Sequence, residues 1–265
     1  MSLCVIIEGG LGNQLFMIFT AISKAMDEGR DFEIYPIYTN IRSYYFTSMF
    51  KSLLFKVALN NPQIQMIYNE PSFNYTPIPD NIKTIRGYFQ SSKYFHHNRD
   101  NIIELLGFNH FKKRFKFDFK TVAIHLRFGD MSFNQVHHVI QRPEYYIDAL
   151  KVLLNKIDKN DYKFIIFGEK NDDEIINDYM NIFSNIFNIK FFKFYDIHRN
   201  VQDWQEMFYM SSCEHFIISN STFSWFSAYL SNNPEKTVIY PSRWFGNNYT
   251  DKTVDDLFLE DWIKI

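Results

Sequence analysis

Cysteine is nearly absent: Cys4 and Cys213 are the two in a chain of 265 residues. Two thiols build neither a disulfide framework nor a cysteine-rich zinc site. Both lie in or beside apolar segments, so buried free thiols in a reducing compartment are expected. Long apolar runs are missing too. No stretch approaches the ~18 uncharged apolar residues of a membrane span, and the N-terminus lacks a signal-like arrangement. Charge of one sign is also lacking: 28 Lys and Arg stand against 30 Asp and Glu, a formal net charge of −2. That excludes a broadly basic nucleic-acid surface, and the run Lys112, Lys113, Arg114 and Lys116 reads as a solvated linker or face. No internal repeat, low-complexity tract or Asp-x-Asp triplet occurs. The pair Asp172-Asp173 reads as a helix start rather than a metal site. A soluble, cytoplasmic protein is expected, in which the sequon triplets at Asn74, Asn220 and Asn248 are chance matches.

What is present is apolar and aromatic. Hydrophobic residues make up 46% of the chain, enough for a substantial core. Aromatics make up 19%, with 29 Phe and 17 Tyr, and counting alone does not separate a compositional bias from platforms for sugar stacking.

The opening is well organised. Leu3 to Ile7 reads as a parallel strand, Gly9-Gly10-Leu11-Gly12-Asn13-Gln14 as a loop, and Leu15 to Met26 as a helix that is apolar all round and ends near Gly29. Residues 32–117 are harder: Pro62, Pro71, Pro77 and Pro79 interrupt any periodicity, and a partly irregular half-domain is expected there. Regularity returns at Val122 to Leu126, a strand. Pro143 then suits the first position of a helix through Lys156. Strands at Lys163–Phe167, Phe191–Tyr195, Phe216–Ile218 and Thr237–Tyr240 alternate with helices opening at Asn171, Asp203 and Ser221. Such alternation predicts parallel sheets with right-handed crossovers. The expected domains are 1–115, an α/β acceptor-side domain, and 116–265, a Rossmann-like nucleotide-sugar donor domain, joined near Lys112 to Lys120.

Three segments carry chemistry. The glycine loop lets backbone approach a ligand at a helix start, where free N–H groups and the helix dipole favour an anion. It is not a dinucleotide fingerprint, which needs glycine where Leu15 stands, nor a P-loop; a purely structural turn fits its spacing equally well. The second segment is His125-Leu126-Arg127-Phe128-Gly129-Asp130, at the end of a strand. Arginine offers a planar fork of donors matched to phosphate, and Gly129 allows a turn that returns Asp130 to the strand end. A core histidine and a surface ion pair are the plainer alternative. The third is Ser219-Asn220-Ser221-Thr222-Phe223-Ser224-Trp225, again at a strand end, where Asn220 or Ser221 can cap the helix or face a phosphate.

Together with Gly87-Tyr88-Phe89-Gln90-Ser91, Pro241 and Trp244-Phe245, these segments resemble, in order and spacing, the alpha-1,2-fucosyltransferases of glycosyltransferase family 11. The resemblance runs over nearly the whole chain. It implies a GT-B-like α/β fold, two facing Rossmann-like domains with a cleft between them. It also implies GDP-fucose as donor, a galactose-containing glycan as acceptor, and inversion with neither metal nor other cofactor. Donor-binding residues would be Gly10, Gly12, Asn13, Gln14, Arg127, Glu169, Asn220, Ser221, Thr222 and Phe223, with Glu169 towards the guanosine. Arg127, His125 and Asp130 would be catalytic, Asp130 as base with Glu8 and His125 as rivals. The chain departs from the family pattern at Phe128 and Met131, where arginine and tyrosine are common, and at Gly168-Glu169, where serine and aspartate are usual. Transfer of another GDP-sugar, transfer to a protein hydroxyl, and a non-catalytic nucleotide- or glycan-binding protein are the alternatives.

Overall fold

No charged residue interrupts Leu3 to Ile7. In the computed structural model, which describes residues 2–58, 67–129, 139–246 and 254–265, this run lies buried within strand β1 (Leu3–Gly9). The chain forms two compact units, Met1–Phe111 with Lys252–Leu259, and Lys112–Asp251 with Glu260–Ile265.

In the first unit, β1 feeds helix α1 (Leu11–Asp27), then come β2 (Phe32–Ile41), β3 (Ile67–Asn69) and β4 (Thr84–Arg86). All four strands are parallel in the order β2-β1-β4-β3. Helix α1 is buried almost all round, as an apolar sequence without a polar face requires. Its Phe19 packs at 5.4 Å against Phe95 and at 6.3 Å against Phe108. The helix begins at Leu11, four residues before the expected Leu15. Gly10 is the extended N-cap, and the Gln14 N–H closes the first turn on the Gly10 carbonyl at 3.0 Å. The glycine run is therefore largely helix, and only Gly9 and Gly10 form the turn. Helices α2 (Arg99–Leu105) and α3 (Phe108–Arg114) follow.

The second unit runs β5 (Thr121–His125), α4 (Pro143–Leu154), β6 (Lys163–Phe167), α5 (Asp173–Phe187), β7 (Phe191–Lys193), a short α6 (Phe194–Ile197), α7 (Asp203–Ser211), β8 (His215–Ile217), α8 (Thr222–Leu230), β9 (Val238–Tyr240) and β10 (Ile263–Lys264). Its six parallel strands stand in the order β10-β9-β8-β5-β6-β7. Counted from β5 as first strand, that is 3-2-1-4-5-6, the dinucleotide-fold order. β5 and β6 are buried on both faces, which explains why their sequences read as unbroken apolar runs. Strand β7 stops at Lys193 instead of Tyr195, because Phe194 turns into α6 and stacks on Phe167 at 5.0 Å. Both cysteines are free and buried. No helix among the described residues is long and apolar enough to cross a membrane.

The unit boundaries differ from a division at residue 115. Lys252–Leu259 folds with the first unit, where the Asp256 carboxylate accepts the Tyr75 N–H at 3.0 Å and pairs with Lys93. Nothing in a local sequence window signals a return of that kind.

One turn of the first unit depends on a missing side chain. The carboxylate of Glu70 accepts the N–H groups of Tyr88 at 2.8 Å and Phe89 at 2.9 Å, and Phe89 takes a φ of 50°. Gly87 has φ +158°, and a Cβ placed there would lie 2.3 Å from the Glu70 Cβ. Gly87→Ala is accordingly expected to destabilise the protein by about 1–3 kcal/mol through backbone strain and overlap. A shift of the urea unfolding midpoint at unchanged slope would register it.

Candidate active site at the sheet reversal

The strand order of the second unit reverses between β5 and β8, which pair through Val122–His215 and Ile124–Ile217. Crossovers leave such a pair in opposite directions and open a crevice at the carboxyl ends, where ligands of open α/β sheets bind. His125 and Arg127 follow on one side, Ser219 and Ser221 on the other. His125 Nδ1 lies 2.7 Å from Ser219 Oγ, and Arg127 Nη1 donates to Ser221 Oγ at 3.2 Å. The two-residue spacing of one segment is thus matched by the other.

Ser221 is the N-cap of α8, yet its hydroxyl makes no capping bond to the helix. It faces Arg127 instead. Asn220 does not cap the helix either. Its side-chain oxygen accepts from Gln141 Nε2 at 3.1 Å and its amide donates to the Trp244 carbonyl at 3.0 Å. The capping expectation is thus corrected for both, and Asn220, expected among the donor-binding groups, holds the loop with both ends of its amide. The first helical bond runs from Trp225 N–H to the Ser221 carbonyl, which leaves the N–H groups of Thr222 and Phe223 ahead of it at the positive end of the helix. A guanidinium and an uncapped helix start side by side make a strong anion site.

His125 is buried, with the Phe223 ring 5.8 Å from its own. The Tyr146 hydroxyl donates to its backbone carbonyl at 3.0 Å. Burial first, and then the positive charge of Arg127, push its pKa down to about 3. A neutral imidazole of such low basicity is a poor general base near neutral pH, which works best with a pKa near the operating pH. Its arrangement suits a fixed spacer between the two segments. Phe128 points the other way, buried against Tyr179 at 5.1 Å, so the position where an arginine is common in the resembling family belongs to the core here. Trp225 is also core, stacked on Tyr229 at 4.9 Å.

Glu169, exposed at the end of β6, comes beside the same loop. A Cβ on Gly129 would lie 3.2 Å from its carboxylate. Asp172 accepts the Gly129 N–H at 3.0 Å, while Asp173 holds Lys193 at 2.5 Å and Tyr195 at 2.7 Å. The pair stands at the start of α5, as expected, with Asp172 at its N-cap position and both carboxylates engaged with neighbouring segments. Glu206 on α7 was not singled out by its sequence, where an acid in a first helical turn is unremarkable. Desolvation, then Asp203 and Glu169, push its pKa up to about 8. Tyr146 and Gln141 were likewise missed as site-building groups. Ser219 lies within a conspicuous polar run, whereas Tyr146 and Gln141 become visible only through packing. Asp130 lies outside the described residues.

The glycine segment belongs to the first unit. Gln90 Nε2 donates to Asn13 Oδ1 at 3.1 Å, which joins two of the sequence motifs. Space is open at Gly10, with no described atom within 4 Å of a Cβ built there. Gln14 lies at the first turn of α1. It is buried, its amide donates to the Gly9 carbonyl at 3.0 Å, and its N–H is engaged by Gly10. Gly12 is buried as well. Glu8 accepts from Asn40 at 3.1 Å. Among the described residues, no group of three or more His, Cys, Asp or Glu is placed to hold a metal ion.

Residues 65–265 match the model of glycosyl transferase family 11. The chain belongs to that family. This family 11 chain is 29% identical over 190 residues to the alpha-1,2-colitosyltransferase of Escherichia coli, covering 68% of this chain and 61% of that protein. It is 27% identical over 194 residues to the O-antigen biosynthesis glycosyltransferase WbnK of Escherichia coli, covering 67% and 59%. The chain therefore spans about three fifths of the length of these two relatives. Among solved structures, the fucosyltransferase NodZ from Bradyrhizobium is 12% identical, with a TM-score of 0.48, over 87% of this chain and 94% of that one.

The buried histidine makes a pH signature. The folded state takes up this proton only near pH 3, the unfolded chain near 6.5. Between those values the unfolded state binds more protons, so this contribution to stability is complete above pH 6.5 and is lost as pH falls towards 3. His125→Asn is expected to flatten the fall of the melting temperature across that window. Parallel slopes for the variant and the wild type would contradict the neutral, buried imidazole.

Proposed function

We propose that the protein is an inverting, metal-independent glycosyltransferase that moves fucose from GDP-fucose to a galactoside hydroxyl in alpha-1,2 linkage. One observation carries this reading: the Arg127 guanidinium held on Ser221 at the sheet reversal, beside the uncapped start of α8. An acceptor oxygen attacks the anomeric carbon, the bond to the diphosphate breaks, and negative charge gathers on the departing GDP. Arg127 and the Thr222 and Phe223 N–H groups meet that charge, so their effect is greatest in the transition state. Glu169 is assigned to the guanosine, since a carboxylate accepts well from the N–H edge of guanine. Asp130 is assigned as the base that takes the acceptor proton, because the depressed pKa of His125 weakens that rival.

Arg127→Lys keeps the charge and loses the fork. Its expected cost is about 2 kcal/mol of transition-state stabilisation, roughly thirtyfold in kcat. Near-normal turnover in this variant would remove Arg127 from the mechanism. Transfer is expected to continue in excess chelator, scored by GDP release and product mass; abolition that added divalent metal restores would refute metal independence. A pH–rate profile of Asp130→Asn tests the base: an unchanged acidic limb sinks the assignment.

A second reading concerns the donor sugar. The 29% identity to an alpha-1,2-colitosyltransferase favours a colitosyl group in place of fucose. Parallel assays with the two nucleotide sugars against one galactoside panel decide between them by the ratio of kcat/KM.

A further inference from the structure

Strand β2 swings out of register before it ends. Ile7 pairs with Pro36 and Gly9 with Ile41, so Glu8 alone faces the four residues from Ile37 to Asn40. A bulge of this kind re-aims side chains and is common beside functional sites. Here it carries Tyr38, Thr39 and Asn40 outward, all of them exposed.

Tyr38 is 63% exposed and Tyr44 38% exposed. Their rings stack at 6.0 Å with 26° between the planes. Tyr44 leans on Phe46 at 5.2 Å, and Phe46, fully buried, packs on Phe50 at 5.6 Å. The pair is therefore a shelf fixed from below. Hydrogen-bonding groups follow Tyr38 along β2 and face it from β1. Asn40 donates to Glu8 at 3.1 Å, Thr39 to Asn40 at 3.2 Å, and the Arg42 N–H to the Gly9 carbonyl at 3.0 Å. All of this lies at the carboxyl side of β1 and β2, the end at which parallel sheets bind ligands.

An exposed aromatic face bordered by a carboxylate and an amide has the chemistry to recognise a pyranose. The C–H face of the sugar lies on the rings, and its hydroxyls meet the carboxylate and the amide. A galactoside suits such a shelf, because its axial hydroxyl leaves several C–H groups together on the opposite face. Neither charge nor size favours a nucleotide there, with Glu8 on the neighbouring strand.

We propose that the Tyr38–Tyr44 shelf, with Glu8 and Asn40 at its edge, binds a galactopyranoside ring, and that this ring belongs to the acceptor. The second clause rests on the transferase reading; the first does not. Two measurements keep them apart. In saturation-transfer NMR with methyl β-galactoside, the wild-type protein binds the sugar through its C–H face and Tyr38→Ala loses that signal, while both keep the same melting temperature. In steady-state assays, Tyr38→Ala raises the acceptor KM about tenfold and leaves the donor KM unchanged, and Tyr38→Phe, which keeps the ring, restores most of the loss. Tyr44→Ala repeats the test from the other side of the stack. Failure of the wild type to bind the galactoside, or binding that survives Tyr38→Ala, overturns the shelf. Binding that behaves as expected in a protein that transfers from no donor sustains the shelf and overturns the acceptor clause.

Discussion

The side-by-side pairing of β5 and β8 is the constraint on which the second unit depends. It places the ends of two sequence-distant segments within hydrogen-bond reach, His125 against Ser219 and Arg127 against Ser221. Strands nearly a hundred residues apart meet there because crossovers to either side leave the first strand of each half in the middle of the sheet. Any other strand order with the same elements would separate the guanidinium from the hydroxyl-rich helix start.

Around that pairing lies a set of buried polar groups that are nearly all matched. Tyr146 holds the His125 carbonyl, Tyr145 the Ile218 carbonyl at 2.6 Å, Tyr179 the Gln141 carbonyl at 3.0 Å, and Gln141 holds Asn220. Each bond adds little net stability, but a buried donor or acceptor left without a partner is costly. The network therefore fixes one conformation of the loop without relying on charge. Burial, and the repulsion a second positive charge would meet beside Arg127, keep the imidazole of His125 uncharged near neutral pH.

The first unit follows a different logic. Its helix α1 is buried along most of its length, and β1, β2 and the turns supply the rest of the core. Glu70 shows what this demands. Desolvation pushes its pKa up to about 7 although two backbone N–H groups favour its charge, so the Gly87–Ser91 turn is built on a carboxyl group that sits near its own titration point.

The sequence by itself determined the elements whose signals are local. Apolar runs without charges became β1, β5 and β6, since a parallel strand covered on both faces needs nothing else. Pro143 opened α4 as its fixed φ allows. The serine run was legible as a helix start, because cap-forming side chains are written in residue type. Tertiary structure alone decided what those groups face. Ser221 and Asn220 read as caps, yet an arginine and a glutamine from distant segments claim them. The Gln14 amide N–H closes on Gly9 and Ser43, a contact no local window shows. Lys252–Leu259 read as the end of the second unit, yet it returns to the first. Within residues 32–117, β2 went unread with Pro36 inside its ten residues, and so did β3, whose three residues carry too little periodicity. A hydrogen bond depends on what stands opposite in space, and no local window of sequence contains that.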